Sequence, residues 1–163
     1  MILQGKEIEQ KKLVQNTKWE GQFQPAGVDL SLESVWEFES AGAIDGDNSR
    51  RELPKSKQLA WGGQNFIHLL PGSYKIIFNE AVSIPKDCAA MARSRSTLLR
   101  CGACVQTALW DPGYVGRSEA LLVVKNNHGL KVFRDAKVAQ LVFIRLSNAV
   151  NEGYKGKYQG ENL

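Results

Sequence analysis

No apolar run in this chain approaches the roughly 20 residues that a membrane-crossing helix needs, so no membrane partner is implied. The first residues, MILQGKEIEQKK, are charged and amphipathic. They lack the apolar stretch of a secretion signal, which makes the cytoplasm the expected compartment. Cysteine is scarce: only Cys88, Cys101 and Cys104 are present. An odd count without a secretion signal argues against a disulfide framework. Cys101-Gly-Ala-Cys104 has the spacing of half a zinc site or a redox pair. No second CxxC exists, however, and neither His68 nor His128 lies at ligand spacing from it. Buried or strand-facing thiols are the expected reading. The chain has no GxxxxGK[ST], which excludes a P-loop. It has no HxE paired with PCxxC, which excludes the zinc chemistry of the common nucleobase deaminases. It also lacks internal repeats.

What is present fits one domain with a substantial core. The chain has 163 residues, 43% of them hydrophobic and 23% charged. A net charge of +4 suits a polyanionic small molecule and is too small and dispersed to demand nucleic acid. The charged start predicts a short helix over residues 5–15. After Gln24-Pro25-Ala26-Gly27, VDLSLESVWEF alternates apolar and polar residues as a strand does. Residues 40–56 are polar and turn-rich, a predicted loop. FIHLL, Pro71-Gly72-Ser73 and YKIIFNEAVSIP form a candidate hairpin. CAAMARSRS reads as a strand, and STLLRCG as one helical turn capped by Ser96 or Thr97. VQTALW, SEALLVVKNN, LKVFRD and KVAQLVFIRL follow at short spacing. Asn126-Asn127-His128-Gly129 signals a hairpin turn, and Asp135-Ala136 a weaker one. Many short strands joined by tight turns predict an all-β barrel or jelly-roll-like fold. The glycine-rich, polar last 16 residues read as a mobile tail. The expected division is a barrel domain over residues 1–147 and a flexible tail over 148–163.

The chemistry concentrates in RSRSTLLRCGACVQTALWDPGYVGR, residues 93–117. Arg93, Arg95, Ser96 and Arg100 offer guanidinium forks and a hydroxyl for phosphate oxygens; a solvated basic strand edge is the plainer alternative. Asp111, ahead of Pro112-Gly113, is either a turn-initiating residue or a carboxylate placed to activate water. The neighbouring arginines favour the second, because phosphoanhydride hydrolysis needs a positioned carboxylate and little else. Asp29 is either a strand-end contact or a holder of a hydrated divalent cation. Glu119 faces either the site or solvent. Gln140 is the one uncharged polar residue within an apolar strand, so it is a core pin or a ligand contact. In the tail, Tyr154, Lys157 and Gln159 stand among flexible glycines and could close over phosphates.

Together these motifs resemble the trimeric deoxyuridine triphosphatase and dCTP deaminase superfamily. QPAGVDL (24–30) resembles its first motif, SRSTLLRCG (94–102) its second, and ALWDPGY with Gly116 its third. VAQLVF (138–143) resembles the fourth, and YKGKYQG (154–160) the segment that covers the phosphates. The match runs nearly end to end, and its wording is most similar to the archaeal deoxyuridine triphosphatases. The resemblance implies a distorted β-barrel protomer, a homotrimer and three sites at subunit interfaces. It implies Asp111 as the group that activates water, and Tyr114 packed under the deoxyribose to exclude a 2′-hydroxyl. Arg95, Ser96, Arg100 and Gln140 would contact phosphates. A hairpin over 105–110, with Thr107, would read the uracil edge. Tyr154, Lys157 and Gln159 would close on the triphosphate, and Asp29 would help hold Mg²⁺ through water. The implied reaction is attack of water on dUTP at the α-phosphorus.

The deaminase branch uses a Glu ten residues beyond the Asp. Here that position is Leu121, with Glu119 two residues earlier on the same strand face. The span from Gly102 to Asp111 also has the shorter, hydrolase length. Both features favour hydrolysis over dCTP deamination or a bifunctional enzyme. A non-catalytic nucleotide sensor would be expected to have lost the acid at position 111.

Overall fold

The computed structural model describes residues 1–163. Along the chain run α1 (Gly5–Gln10), β1 (Val14–Gln15), β2 (Phe23–Gln24), β3 (Gly27–Phe38), β4 (Ser56–Gln58), β5 (Phe66–Leu69), β6 (Gly72–Phe78) and β7 (Ala81–Ser83). They are followed by β8 (Cys88–Ser94), α2 (Ser96–Arg100), β9 (Ala103–Gln106), β10 (Val115–Gly116), β11 (Glu119–Val124), β12 (Leu130–Phe133) and β13 (Lys137–Arg145). The architecture is all-β with a short N-terminal helix, as the patterning implies. The main sheet follows the path β8-β13-β3-β6-β11-β9, with β2 and β4 paired to the two ends of β3. A three-stranded sheet (β1-β7-β10) and the β12-β5 pair complete the fold.

The ends of the main path meet, and Ser94 closes the gap. Its Oγ accepts the Val105 N–H at 2.8 Å and donates to the Val105 carbonyl at 3.0 Å. One hydroxyl thus satisfies backbone groups that open edges would leave unpaired. The barrel-like sheet wraps a core in which Phe78, Phe143, Leu30, Ile76, Leu122 and Leu141 are fully buried. Each such side chain contributes about 1.5–3 kcal/mol through burial. No helix is long and apolar enough to cross a membrane.

Several local expectations are corrected. α1 ends at Gln10 instead of residue 15, because Lys12 turns with φ at 52° and Val14 leaves to pair with Val82. Burial of Leu13 and Val14 in the core outweighs the helical pattern. The segments around Pro71 do not form a hairpin with each other. β5 pairs with β12, while β6 pairs with β3 and β11. Pro71-Gly72 and Asn126–Gly129 are therefore facing corners of one long ribbon, with Leu69 opposite Leu130 and Gly72 opposite Val124. Gly129, at φ 78°, is needed there because a Cβ would collide with the Leu69 carbonyl oxygen. α2 forms as expected, but its N-cap is Arg95 and no side chain caps it, neither Ser96 nor Thr97. Cys88 is buried, Cys104 is half-buried and Cys101 is exposed, so the expectation of sheltered thiols fails at Cys101.

Candidate active site

The long connection from β9 to β11 carries Asp111 and Tyr114. The expected hairpin over 105–110 is absent as such, since β9 pairs with β11. Residues 107–109 instead run free between β9 and the isolated bridge from Trp110 to Ala90. The backbone N–H and C=O groups of Thr107, Ala108 and Leu109 find no partner within the chain. Ordered backbone with open donors and acceptors is what the edge of a planar base can pair with. Thr107 is half-buried and lines a cavity of about 310 Å³ between this segment and β8.

Asp111 opens a tight turn in which the Tyr114 N–H donates to the Asp111 carbonyl at 3.1 Å. Gly113 supplies the positive φ, 86°, that the turn requires. The Asp111 side chain is exposed and lines a second cavity of about 440 Å³, together with Leu109, Trp110, Tyr114, Glu119 and Tyr154. The Tyr114 ring is 5% exposed. Its hydroxyl lies 2.9 Å from Ser118 Oγ and donates to Glu161 Oε1 at 2.7 Å. Trp110 Nε1 in turn donates to Ser118 Oγ at 2.5 Å. Burial pushes the Tyr114 hydroxyl strongly upward, with the Glu161 carboxylate adding to the shift. Burial likewise raises the Glu161 carboxyl, partly offset by the bond from Tyr114. Glu119 is exposed at the cavity wall and pairs with Lys75 at 3.3 Å. Leu121 faces Gln106 across β9 and β11 and offers no titratable group.

The phosphate-binding candidates form a separate group. Arg95 and Ser96 start α2, Arg100 ends it exposed, and Gln140 lies on β13 between Asp29 of β3 and Arg93 of β8. The Gln140 amide is only half-buried and makes no hydrogen bond within the chain, so it is not a core pin. Asp29, expected to help hold a hydrated cation, is buried beside two cationic side chains. Its side chain is 2% exposed, with Oδ1 at 3.5 Å from Arg95 Nε and Oδ2 at 3.7 Å from Lys137 Nζ. Gln24 Nε2 also donates to Oδ2, at 3.3 Å. Burial raises the Asp29 carboxyl, and the two cations partly offset that. Asp29 therefore steadies Arg95 from beneath, leaving the far end of the guanidinium without a partner. None of Arg95, Ser96 or Gln140 lines the cavity that holds Asp111.

The last residues fold back on the chain's own site loop. Tyr154 N–H donates to the Pro112 carbonyl at 2.7 Å, and its ring stands edge-on to Tyr114 with centroids 5.8 Å apart. Gly160 N–H donates to the Val115 carbonyl, and Arg117 N–H to that of Glu161. Gln159, expected on phosphates, instead accepts from Val115 N–H and donates to the Gly113 carbonyl, both at 3.1 Å. Lys157 is exposed and unpaired. Ser118 and Glu161 escape a reading of the sequence: the first stands in the two-residue link between β10 and β11, the second in a polar tail, and neither carries a motif of its own.

Residues 2–146 match the model of the dCTP deaminase-like family. A Methanosarcina mazei protein named probable deoxyuridine 5′-triphosphate nucleotidohydrolase is 51% identical over 143 residues, 88% of this chain and 84% of its own. An Archaeoglobus fulgidus protein of the same name is 45% identical over 99% of this chain and 98% of its own. In fold, the crystal structure of 2′-deoxycytidine 5′-triphosphate deaminase from Agrobacterium tumefaciens superposes with a TM-score of 0.66 at 21% identity, over 87% of this chain and 46% of that one. The motif order, the barrel and these matches agree: the chain belongs to the dCTP deaminase-like family.

Proposed function

We infer that this protein is a dUTP diphosphatase, converting dUTP and water to dUMP and pyrophosphate. Its close relatives carry the corresponding name. The observation that carries the reading is what the connection from β9 to β11 brings together. An exposed carboxylate (Asp111), a buried aromatic ring (Tyr114) and backbone with open donors and acceptors (107–109) lie along a single connection. Uracil presents O2 and O4 acceptors flanking an N3–H donor, and backbone amides and carbonyls can meet all three. Tyr114 would lie against the sugar, where a 2′-hydroxyl has no room. Asp111 would take a proton from water as the water oxygen attacks the α-phosphorus. The bond to the bridging oxygen then breaks and pyrophosphate leaves. Arg95, Arg100, Ser96 and Gln140 would bind the charged chain of phosphates. At the deaminase-type position Leu121 cannot move a proton, which favours hydrolysis over deamination.

Those phosphate ligands do not line the Asp111 cavity of the same chain. The split supports completion of each site by another copy, in a homotrimer with interfacial sites. Exposed Met91, Leu99 and Leu109 beside the smaller cavity fit burial in such an assembly. Residues 148–163 would serve as a closing segment, with Lys157 free to reach the triphosphate. Magnesium has no cage of side chains here. No group of three His, Cys, Asp or Glu converges, and Asp29 is already paired. A magnesium ion would come with the triphosphate oxygens, and no step above runs through it.

The test incubates the protein with magnesium and each deoxynucleoside triphosphate in turn. dUMP and pyrophosphate from dUTP, with dCTP intact, is the expected result; ammonia from dCTP would assign the deaminase activity instead. Asp111→Asn should retain triphosphate binding and lose turnover by about 10²-fold or more. Unchanged turnover would remove Asp111 from the reaction.

A further inference from the structure

The hydroxyl of Tyr114 belongs to a chain of four side chains, and its proton order is fixed by chemistry. Indole Nε1 only donates, so Trp110 gives its hydrogen to Ser118 Oγ, 2.5 Å away. An ionised carboxylate only accepts, so Tyr114 gives its hydrogen to Glu161, 2.7 Å away. The middle contact, 2.9 Å, then has a single direction, from Ser118 to Tyr114. The order Trp110→Ser118→Tyr114→Glu161 is complete only while the tail is in place, because Glu161 is its last acceptor. Gly116 makes room for this arrangement: a Cβ there would lie 2.5 Å from the Tyr114 hydroxyl and 3.4 Å from Glu161 Cγ. The tail adds a second restraint on the same ring through the edge-on contact of Tyr154.

We propose that Ser118 and Glu161 are positioning residues that lock the Tyr114 ring, so that docking of the tail sharpens the choice of deoxyribose over ribose. This rests on the dUTP-hydrolase reading, and it gives the tail a role apart from covering phosphates. With Glu161 in place, the ring is tethered at its hydroxyl from both sides and cannot retreat from a 2′-hydroxyl. Without Glu161, Tyr114 loses its strongest acceptor and the ring can swing, which admits the ribose. The free energy at stake is that of a hydrogen bond to a charged acceptor, which sets the size of the effect.

The assay compares kcat/KM for dUTP and UTP. In Glu161→Ala the dUTP-to-UTP ratio should fall about tenfold. Glu161→Gln keeps a carbonyl acceptor and should restore most of it. In a Tyr114→Phe background, Glu161→Ala should change the ratio by less than about threefold, since the bond it removes is already gone. Equal losses on dUTP and UTP, leaving the ratio fixed, would overturn the proposal and leave the tail a phosphate cover. A second readout needs no turnover: trypsin cleavage after the exposed Lys155 and Lys157. It should be several-fold faster in Glu161→Ala than in the parent, and no faster again with Tyr114→Phe added. Identical cleavage in parent and variant would equally overturn the proposal. A parent protein inactive on dUTP would defeat the functional reading, while the cleavage series would still decide whether Glu161 holds the tail to Tyr114.

Discussion

Glu80 is the most consequential buried acid outside the site, and Glu80→Ala tests whether its network holds the barrel. The residue is 1% exposed in the short connection between β6 and β7. Its Oε1 accepts from Ser31 Oγ at 2.6 Å and Gln22 Nε2 at 2.8 Å, and its Oε2 accepts from the Ser31 N–H at 2.8 Å. Truncation leaves three buried donor hydrogens without an acceptor, one of them on Gln22 Nε2, whose other hydrogen still bonds the Asp29 carbonyl, each costing about 1–3 kcal/mol. Water entering the vacated space can satisfy one or two of them. The expected loss is therefore about 2–5 kcal/mol, a large share of the roughly 5–15 kcal/mol typical of a domain. Urea unfolding measures it, with parent and variant at equal protein concentration because assembly adds to apparent stability. The pH dependence supplies a second check. Burial raises the Glu80 carboxyl above its ordinary 4.5, and bonds from Ser31 and Gln22 offset part of that. The folded state therefore holds the proton more tightly than the unfolded one. That contribution is present in full below about pH 4.5 and is lost as pH rises toward the folded value. The cost of Glu80→Ala should accordingly shrink across that interval. A loss below about 1 kcal/mol at every pH would refute the reasoning.

Two further outcomes follow from local geometry. Burial lifts the Cys88 thiol to about 11, with the Asp87 carboxylate adding to the effect. Under native conditions an aromatic disulfide reagent should label the exposed Cys101 and spare Cys88, as mass spectrometry of peptides will report; prior labelling of Cys88 would contradict the packing. Gly27 has φ of 141° and passes against the Leu141 carbonyl of β13. Gly27→Ala should destabilise the protein by about 2 kcal/mol or more through strain and lost β3–β13 pairing, and an unchanged melting temperature would show that the approach is not needed.

The strand content, the short helix at residue 96 and the site loop were legible because each has a local cause. Alternation gave β3, an apolar run gave β13, and Asp-Pro-Gly gave the turn at 111. Asp29 and Ser31 show where local causes stop. Both are polar residues of an alternating segment, yet both are buried. Arg95, Lys137 and Glu80 arrive from distant parts of the chain to cover them. The two apparent hairpins failed for a similar reason, since the corner residues at 71–72 and 126–129 look like turns whichever strand comes to lie beside them.

By itself the sequence determined the chemistry on offer: one acid before a Pro-Gly turn, guanidiniums and hydroxyls for phosphate, and ordered motifs that mark the family. Tertiary structure alone decided partnership. It set Asp29 between Arg95 and Lys137, and it set Gln159 and Glu161 against the loop that bears Tyr114. The physical reason is range. Residue type and spacing fix what a side chain can donate, accept or ionise, whereas its neighbour depends on which remote segment the closing barrel brings within hydrogen-bond distance.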